Sequence, residues 1–200
     1  GFRRPHAPPL DFPAMTIPPP ARPGMTVDEV DTPALLVDLD AFEANLQRLA
    51  REMTDVRVRP HAKTHKCAVI GLQQMALGAV GMCCQKVSEA EALVYGGVSD
   101  VLVTNEIVGR HKLQRLASLA RRAHIGVCVD DIGNLDDVAA AAAEAGVKLD
   151  LYVEIDVGAA RCGVPPDQAA VALAQRAAAK PSLIFRGLQA YHGSAQHLRT

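Results

Sequence analysis

The chain has 200 residues, a formal net charge of −1 and 49% hydrophobic residues. A nucleic-acid-binding protein normally carries a basic excess, which this composition lacks. No apolar run approaches the ~20 residues that a membrane-spanning helix needs. We therefore expect a globular chain that binds neither nucleic acid nor a membrane.

The first part of the chain differs from the rest. Residues 1–28 are rich in proline and show no hydrophobic periodicity, and their beginning lacks the apolar stretch of a signal peptide. The five cysteines are an odd number, and their spacing suits neither a zinc knuckle nor a disulfide scaffold. We predict an extended segment over 1–28, one domain over 29–200, and buried, reduced thiols in a cytoplasmic protein.

From Thr32 onward, short apolar runs alternate with amphipathic segments. Most runs begin about 22 to 24 residues apart, which is the length of one strand–loop–helix–loop unit. The predicted strands are residues 34–39, 56–59, 79–84, 100–104, 125–129, 149–155 and 183–191. Strands that alternate with helices in this way predict a parallel α/β sheet.

Helices are predicted between these strands. Phe42 begins a set of apolar residues with helical spacing that ends at Met53. Ser88, with a glutamate three residues later, indicates a capping box that opens a helix over 89–95. An alanine-rich helix over 135–144 stops at Gly146.

Two architectures fit this order of elements. Polar residues follow nearly every predicted strand instead of clustering at one switch point, which favours a (β/α)₈ TIM-type barrel over an open doubly wound sheet. About seven βα units are present, one fewer than a closed barrel needs. We therefore expect the chain to be part of a longer protein, and a complete open sheet is the alternative.

The segment over residues 59–66, Arg-Pro-His-Ala-Lys-Thr-His-Lys, is the most informative one. Pro60 keeps Arg59 extended, so Lys63 falls in the loop at the carboxyl end of a strand. Positive neighbours, among them Lys66, should lower the pKa of Lys63. A partly neutral amine there can attack a carbonyl group, whereas a solvated basic loop that binds an anion is the alternative. His61 and His65 do not favour a metal site, because they flank a strand end.

Two further clusters follow predicted strands. Residues 153–163 place Glu154 and Asp156 on alternate strand positions and bring Arg161 between two glycines, Gly158 and Gly163. These charges suit either a reactive site or a structural ion-pair network. Residues 187–197 offer a phenol, an amide and two imidazoles, which suit general-base or orienting roles.

The combination of motifs resembles the D-threonine aldolases. The matching segments are residues 31–33 (Asp-Thr-Pro), 59–66, 83–90 (Cys-Cys-Gln-Lys-Val-Ser-Glu-Ala), 154–163 and 189–194 (Gln-Ala-Tyr-His-Gly-Ser). The wider group of these enzymes is the alanine racemase-like enzymes, which use pyridoxal 5′-phosphate (PLP). That group also contains 3-hydroxy-D-aspartate aldolases and D-serine dehydratases.

The resemblance implies a PLP-binding barrel that is followed, in the whole protein, by a β-domain absent from this chain. It implies that Lys63 binds PLP covalently and that His197 is the catalytic base. The other cofactor-binding residues it implies are Gln85, Thr104, Arg161 and Tyr191. The ligands of a divalent metal, Mn²⁺ or Mg²⁺, are expected beyond Thr200, so we expect no metal site within this chain.

The activity implied by the resemblance is a carbon–carbon lyase reaction. The enzyme would cleave D-threonine or related D-3-hydroxyamino acids to glycine and an aldehyde, with PLP and a divalent metal, as a homodimer. One alternative is a D-serine or 3-hydroxyaspartate dehydratase on the same scaffold. Another is a non-catalytic PLP-binding barrel protein, for which His192 and His197 would have no evident use.

Overall fold

The computed structural model describes residues 19–199. Its contacts divide the chain into two compact units, with the division between Phe42 and Glu43. The domain boundary predicted at residue 28 falls within the first unit, and residues 1–18 of the predicted extended segment lie outside the described residues.

The described residues form six α-helices, five β-strands and two short 3-10 helices. The helices are α1 (Leu39–Glu52), α2 (Ala68–Ala76), α3 (Val87–Tyr95), α4 (Arg110–Leu119), α5 (Ile132–Ala145) and α6 (Gln168–Ala178). The strands are β1 (Met82–Cys84), β2 (Asp100–Glu106), β3 (His124–Val129), β4 (Leu149–Ile155) and β5 (Leu183–Ala190). The 3-10 helices are Val27–Glu29 and Gly193–His197. Over residues 19–199, none of the helices has the length and apolar character that crossing a membrane requires.

The five strands form one parallel sheet in the order β1-β2-β3-β4-β5. Each strand pairs with the next one along the chain, and a helix connects each pair. A doubly wound sheet would reverse its strand order at a switch point, whereas a (β/α) barrel keeps sequence order throughout. The order therefore agrees with the barrel prediction over the five strands that are present.

The main hydrophobic core lies between the helices and one face of the sheet. Leu116, Leu135, Leu149 and Leu151 are fully buried in it. On the opposite face of the sheet, three buried side chains form a smaller cluster, against which Tyr152 packs; they are Cys83, Leu102 and Cys128. Both faces of β1, β2 and β3 are thus covered at mid-strand, which is why these strands contain continuous apolar runs, whereas β4 alternates buried and half-buried residues.

Two predicted strands are wrong. Residues 34–38 form no strand among the described residues; Leu35 is 99% exposed, and the Asp38 carboxylate accepts the Ala41 N–H (2.9 Å) at the start of α1. Residues 56–59 follow β1 only irregularly, through Val58, whose carbonyl oxygen accepts the Val80 N–H (2.9 Å). Pro60 has no N–H to continue the ladder there. Residues 19–199 therefore contain five strands where seven were predicted.

The predicted helices are confirmed, with one correction at a helix start. α3 begins at Val87, so Ser88 lies inside the helix and does not cap it. Instead, the Glu89 carboxylate accepts the Gln85 N–H (2.8 Å) across the first turn. α5 ends at Ala145, and Gly146 follows in the left-handed conformation (φ 66°), as its sequence position predicts.

Candidate active site

A cavity of about 400 Å³ opens at the carboxyl ends of the strands. All five of the predicted cofactor-binding residues line it, namely Lys63, Gln85, Thr104, Arg161 and Tyr191. The sixth predicted site residue, His197, does not line it, because it lies on the exposed 3-10 helix after β5. Parallel strands bring residues that are far apart in sequence to one edge, so this convergence follows from the sheet itself.

Backbone pairing with β1 fixes the position of Lys63. The Cys83 N–H donates to the Pro60 carbonyl oxygen (2.7 Å), and the Ala62 N–H donates to the Cys83 carbonyl oxygen (2.8 Å). Ala62 itself is 2% exposed and packs in the main core. Lys63 follows this anchored residue directly, so its backbone is held while its side chain stays exposed at the cavity.

His61 connects Lys63 to β2 through a chain of hydrogen bonds. Its Nδ1 accepts the Lys63 N–H (3.2 Å), and its Nε2 lies 3.1 Å from Thr104 Oγ1. The Thr104 hydroxyl donates to the Cys84 carbonyl oxygen (3.2 Å), so it accepts from His61. These contacts assign the proton to Nε2 of a neutral imidazole. Burial, with the nearby Lys63 charge, lowers the pKa of His61, which favours the neutral form.

The positive neighbours of Lys63 are each neutralised. Arg59 Nη1 lies 2.6 Å from Asp100 Oδ1, and Lys66 Nζ lies 2.9 Å from a carboxylate oxygen of Glu89. Burial lowers the pKa of His65. The sequence predicted that positive neighbours act on Lys63, but the fold gives Arg59 and Lys66 carboxylate partners and favours the neutral form of His65.

The loop after β4 carries Arg161 into the cavity. The Asp156 carboxylate accepts the N–H groups of Gly158 (2.9 Å) and Ala160 (3.1 Å), and these two bonds lower the pKa of Asp156. The Arg161 guanidinium then lies over the Tyr191 ring, 4.4 Å from its centroid. Tyr191 directly follows β5, so two loops meet through this cation–π contact.

Glu154 lies below this contact and is 2% exposed. Its Oε1 is 3.9 Å from Arg161 Nη2. Burial and the nearby Glu106 carboxyl group raise the pKa of Glu154 to about 7, against the lowering effect of Arg161. The prediction that Glu154 and Asp156 occupy alternate positions of one strand is wrong, because β4 ends at Ile155 and the Asp156 carboxylate binds N–H groups of the following loop.

Glu106, Asp130 and Cys162 bring ligand atoms within 4.8 Å of one another beside Glu154. The Gly163 N–H donates to the Asp130 carboxylate (2.9 Å), so one of these groups already has a protein partner. Carboxylates lie this close in many proteins without an ion, and we assign no metal to this group. Its members are on or just after neighbouring strands, and sequence spacing alone gives no signal for their approach.

The prediction of buried thiols holds for three of the five cysteines, whereas Cys67 and Cys162 are only partly buried. Within the described residues all five are free, and Cys83, Cys84 and Cys128 are buried. Burial raises the pKa of the Cys83 thiol to about 11 and that of Cys84 to about 12. These thiols therefore stay protonated at neutral pH and act as small apolar side chains.

The two histidines after β5 lie apart from Lys63. His192 Nε2 lies 3.0 Å from the Ser194 hydroxyl oxygen, and its charge contributes to the lowered pKa of Asp156. His197 is exposed, with Nε2 3.4 Å from the side-chain nitrogen of Gln196. The sequence analysis did not select Tyr152, which lines the cavity; the signal for it is its position on β4 two residues before Glu154, on the same side of the strand. Gln189 also lines the cavity, two residues before Tyr191.

Residues 37–200 match the family model of the alanine racemase N-terminal domain. The chain belongs to this family. Among curated relatives, the chain is 53% identical to a D-threonine aldolase of Arthrobacter sp. over 93% of its length and 50% of that protein. It is 49% identical to a 3-hydroxy-D-aspartate aldolase of Paracoccus denitrificans (strain Pd 1222), covering 90% of this chain and 47% of that protein.

Solved structures of the family show the same fold. The crystal structure of D-threonine aldolase from Filomicrobium marinum superposes with a TM-score of 0.87 and 54% identity, covering 92% of this chain and 50% of that one. The chain spans about half the length of the curated relatives it matches. The family thus accounts for the parallel sheet and the position of the cavity, and the barrel fold is confirmed.

Proposed function

We propose that the protein is a PLP-dependent carbon–carbon lyase that cleaves D-threonine or a related D-3-hydroxyamino acid to glycine and an aldehyde. The observation that carries the proposal is the convergence of Lys63, Gln85, Thr104, Arg161 and Tyr191 on one cavity. The names of the two curated relatives and of the solved structure, all aldolases, support the same reaction.

The residues of the cavity suit PLP. Its volume of about 400 Å³ falls within the range of roughly 300–1,000 Å³ that is typical of small-molecule sites. The cavity combines three groups that suit the cofactor. The exposed lysine amine can react with its carbonyl group, the guanidinium can bind a polar substituent of its ring, and the phenol can pack on its aromatic face. When bound, PLP supplies the electron sink that makes cleavage of the Cα–Cβ bond feasible.

Lys63 would hold the cofactor covalently through its side-chain amine. Its backbone is fixed by the pairing of Ala62 with β1, and its own N–H is held by His61. Because its side chain remains exposed at the cavity, the Lys63 amine would be accessible to the carbonyl group of the cofactor.

Arg161 and Tyr191 would orient the cofactor, and the Thr104 hydroxyl oxygen, which keeps one lone pair, would accept a hydrogen bond from it. A guanidinium stacked on a phenol ring keeps its N–H groups pointing outward from the stack, where they can donate to oxygen atoms of a ligand. N–H groups fixed in this way would hold the Cα–Cβ bond in one direction relative to the cofactor. A fixed direction accelerates cleavage because the reacting groups are already oriented.

Cleavage also requires a base that removes the β-hydroxyl proton. We propose His197 for this role, as the family resemblance suggests, although it lies on an exposed 3-10 helix outside the cavity lining. An imidazole is partly unprotonated at neutral pH and suits the task. His192 is the alternative base, because it lies closer to the loop that carries Arg161.

We also propose that the whole protein uses a divalent cation, Mn²⁺ or Mg²⁺, and works as a cytoplasmic homodimer. The described residues offer one group of potential ligand atoms, Glu106, Asp130 and Cys162. A thiol is a poor ligand for these hard cations, so this group does not fit them. We therefore derive no step of the reaction from it.

Product analysis tests the proposed reaction directly. Purified full-length protein supplied with PLP, Mn²⁺ and D-threonine should release glycine and acetaldehyde in equal amounts. A dehydratase would release ammonia and a keto acid from the same class of substrate. A non-catalytic PLP-binding protein would release neither, and either of these two outcomes would refute the proposal.

A further inference from the structure

Glu154 is a carboxyl group whose burial the proposed reaction does not explain. Its side chain is 3% exposed, although it lies at the carboxyl end of β4 and lines the cavity. A buried carboxylate is strongly disfavoured unless a cation or hydrogen-bond donor lies nearby. The nearby cation is Arg161, whose Nη2 lies 3.9 Å from Glu154 Oε1.

Arg161 depends on such a contact for a fixed position. Its side chain is 47% exposed, and it follows Ala160, whose backbone has a positive φ of 51°. A long side chain on an irregular loop has many rotamers and loses considerable entropy when it is fixed. Tyr191 limits its motion from one side, with the guanidinium 4.4 Å from the ring centroid, and Glu154 attracts it from below.

Several titratable groups surround Glu154. Glu106 comes from β2, Cys128 from β3 and Asp130 from the loop after β3, while Arg161 approaches from the loop after β4. Burial and the nearby Glu106 carboxyl group raise the pKa of Glu154, whereas Arg161 lowers it. Arg161 is therefore the neighbour that stabilises the charged form of Glu154.

We propose that Glu154 is a positioning residue of the cofactor site, whose carboxyl group holds the Arg161 guanidinium over the Tyr191 ring so that Arg161 meets bound PLP in one orientation. The inference rests on the proposed function, because it needs PLP in the cavity. It predicts that Glu154 affects PLP only through Arg161.

A double-mutant cycle on the full-length protein tests this dependence. The variants are Glu154→Gln, Arg161→Ala and the two combined, and the measurement is the dissociation constant of PLP together with the absorption spectrum of the bound cofactor. Glu91→Gln is a matched control, because it removes the same charge from an ion pair with Arg115 outside the cavity.

Glu154→Gln should weaken PLP binding about two- to fivefold, because the contact that is lost is an ion pair at 3.9 Å with a partly exposed guanidinium. The double variant should bind PLP no more weakly than Arg161→Ala alone. The absorption maximum of bound PLP should shift in the same direction in Glu154→Gln and in Arg161→Ala. Glu91→Gln should keep the wild-type affinity and spectrum.

The inference is wrong if the effects of the two substitutions multiply, or if Glu154→Gln leaves both affinity and spectrum unchanged. If Glu154→Gln fails to fold by circular dichroism, Glu154→Asp replaces it, and its weaker effect must likewise vanish on the Arg161→Ala background. A wild-type protein that does not attach PLP to Lys63 would refute the proposed function, a result that is distinct from failure of the cycle.

Discussion

Gly163→Ala perturbs the loop that carries Arg161 at a position where the backbone leaves no room for a side chain. Gly163 has φ +99°, and a Cβ there would lie 2.5 Å from the Ile155 carbonyl carbon and 2.6 Å from the Asp156 nitrogen. The Gly163 N–H also donates to the Asp130 carboxylate. The substitution therefore strains the backbone and pushes it away from the end of β4.

The magnitude follows from two contributions. A non-glycine residue in this conformation costs roughly 1–2 kcal/mol, and overpacking against backbone costs roughly 1–3 kcal/mol, so the free energy of unfolding should fall by about 2–5 kcal/mol. Gly158→Ala is a matched control in the same loop. Its φ is +111°, but its nearest contact would be His192 Nε2 at 3.5 Å. Only the backbone strain of about 1–2 kcal/mol should remain there.

Urea denaturation of the full-length variants measures both losses, and a PLP titration of each variant reports the position of Arg161. Gly163→Ala should lose clearly more stability than Gly158→Ala and should bind PLP more weakly. Equal losses in the two variants would refute the reasoning, because the clash with the end of β4 is the only difference it assigns to them.

Three further predictions concern the chemistry. His197→Ala should lower turnover by about 10²–10⁴-fold with PLP affinity unchanged; a loss in His192→Ala instead would transfer the base to that residue. A chelator should abolish cleavage but leave PLP bound, and full activity after chelation would exclude the metal. The raised pKa of Glu154 means that the folded protein keeps a proton that the unfolded chain releases from about pH 4.5 upward, so stability falls as the pH rises to about 7. Glu154→Gln should reduce this fall in denaturation curves at pH 5 and pH 8, and an unchanged fall would contradict the assignment.

Residue patterns predicted the parallel sheet and its barrel order, because burial on both faces leaves a run of apolar residues in each strand. The same patterns placed polar residues at the ends of the strands, and the family resemblance implied which of them line the cavity. Lys63, Thr104 and Tyr191 each lie at the carboxyl end of a strand or in the loop that follows, and a parallel sheet brings those ends together. The position of the cavity at the carboxyl ends of the strands could therefore be predicted without any measured distance.

Features that depend on a neighbour were not predictable. The run at 34–39 has strand-like composition, but a strand exists only where another strand pairs with it, and none of the described residues does so. The approach of Glu106 to Glu154 depends on strands separated by β3, and the sequence gives no sign of it. In the sequence, the positive charges beside Lys63 are expected to add together. In the structure, Asp100 neutralises Arg59 and Glu89 neutralises Lys66, and each of these carboxylates lies more than 20 residues away along the chain.

Attachment of PLP to Lys63 is the central claim, and chemical trapping tests it most directly. Full-length protein loaded with PLP should be reduced with borohydride, digested and mapped by mass spectrometry. We predict that the mass of the reduced cofactor appears on the peptide that contains Lys63, and that Lys63→Ala abolishes it. A label on Lys66 or Lys86 instead, or no label on a protein that cleaves D-threonine, would contradict the account.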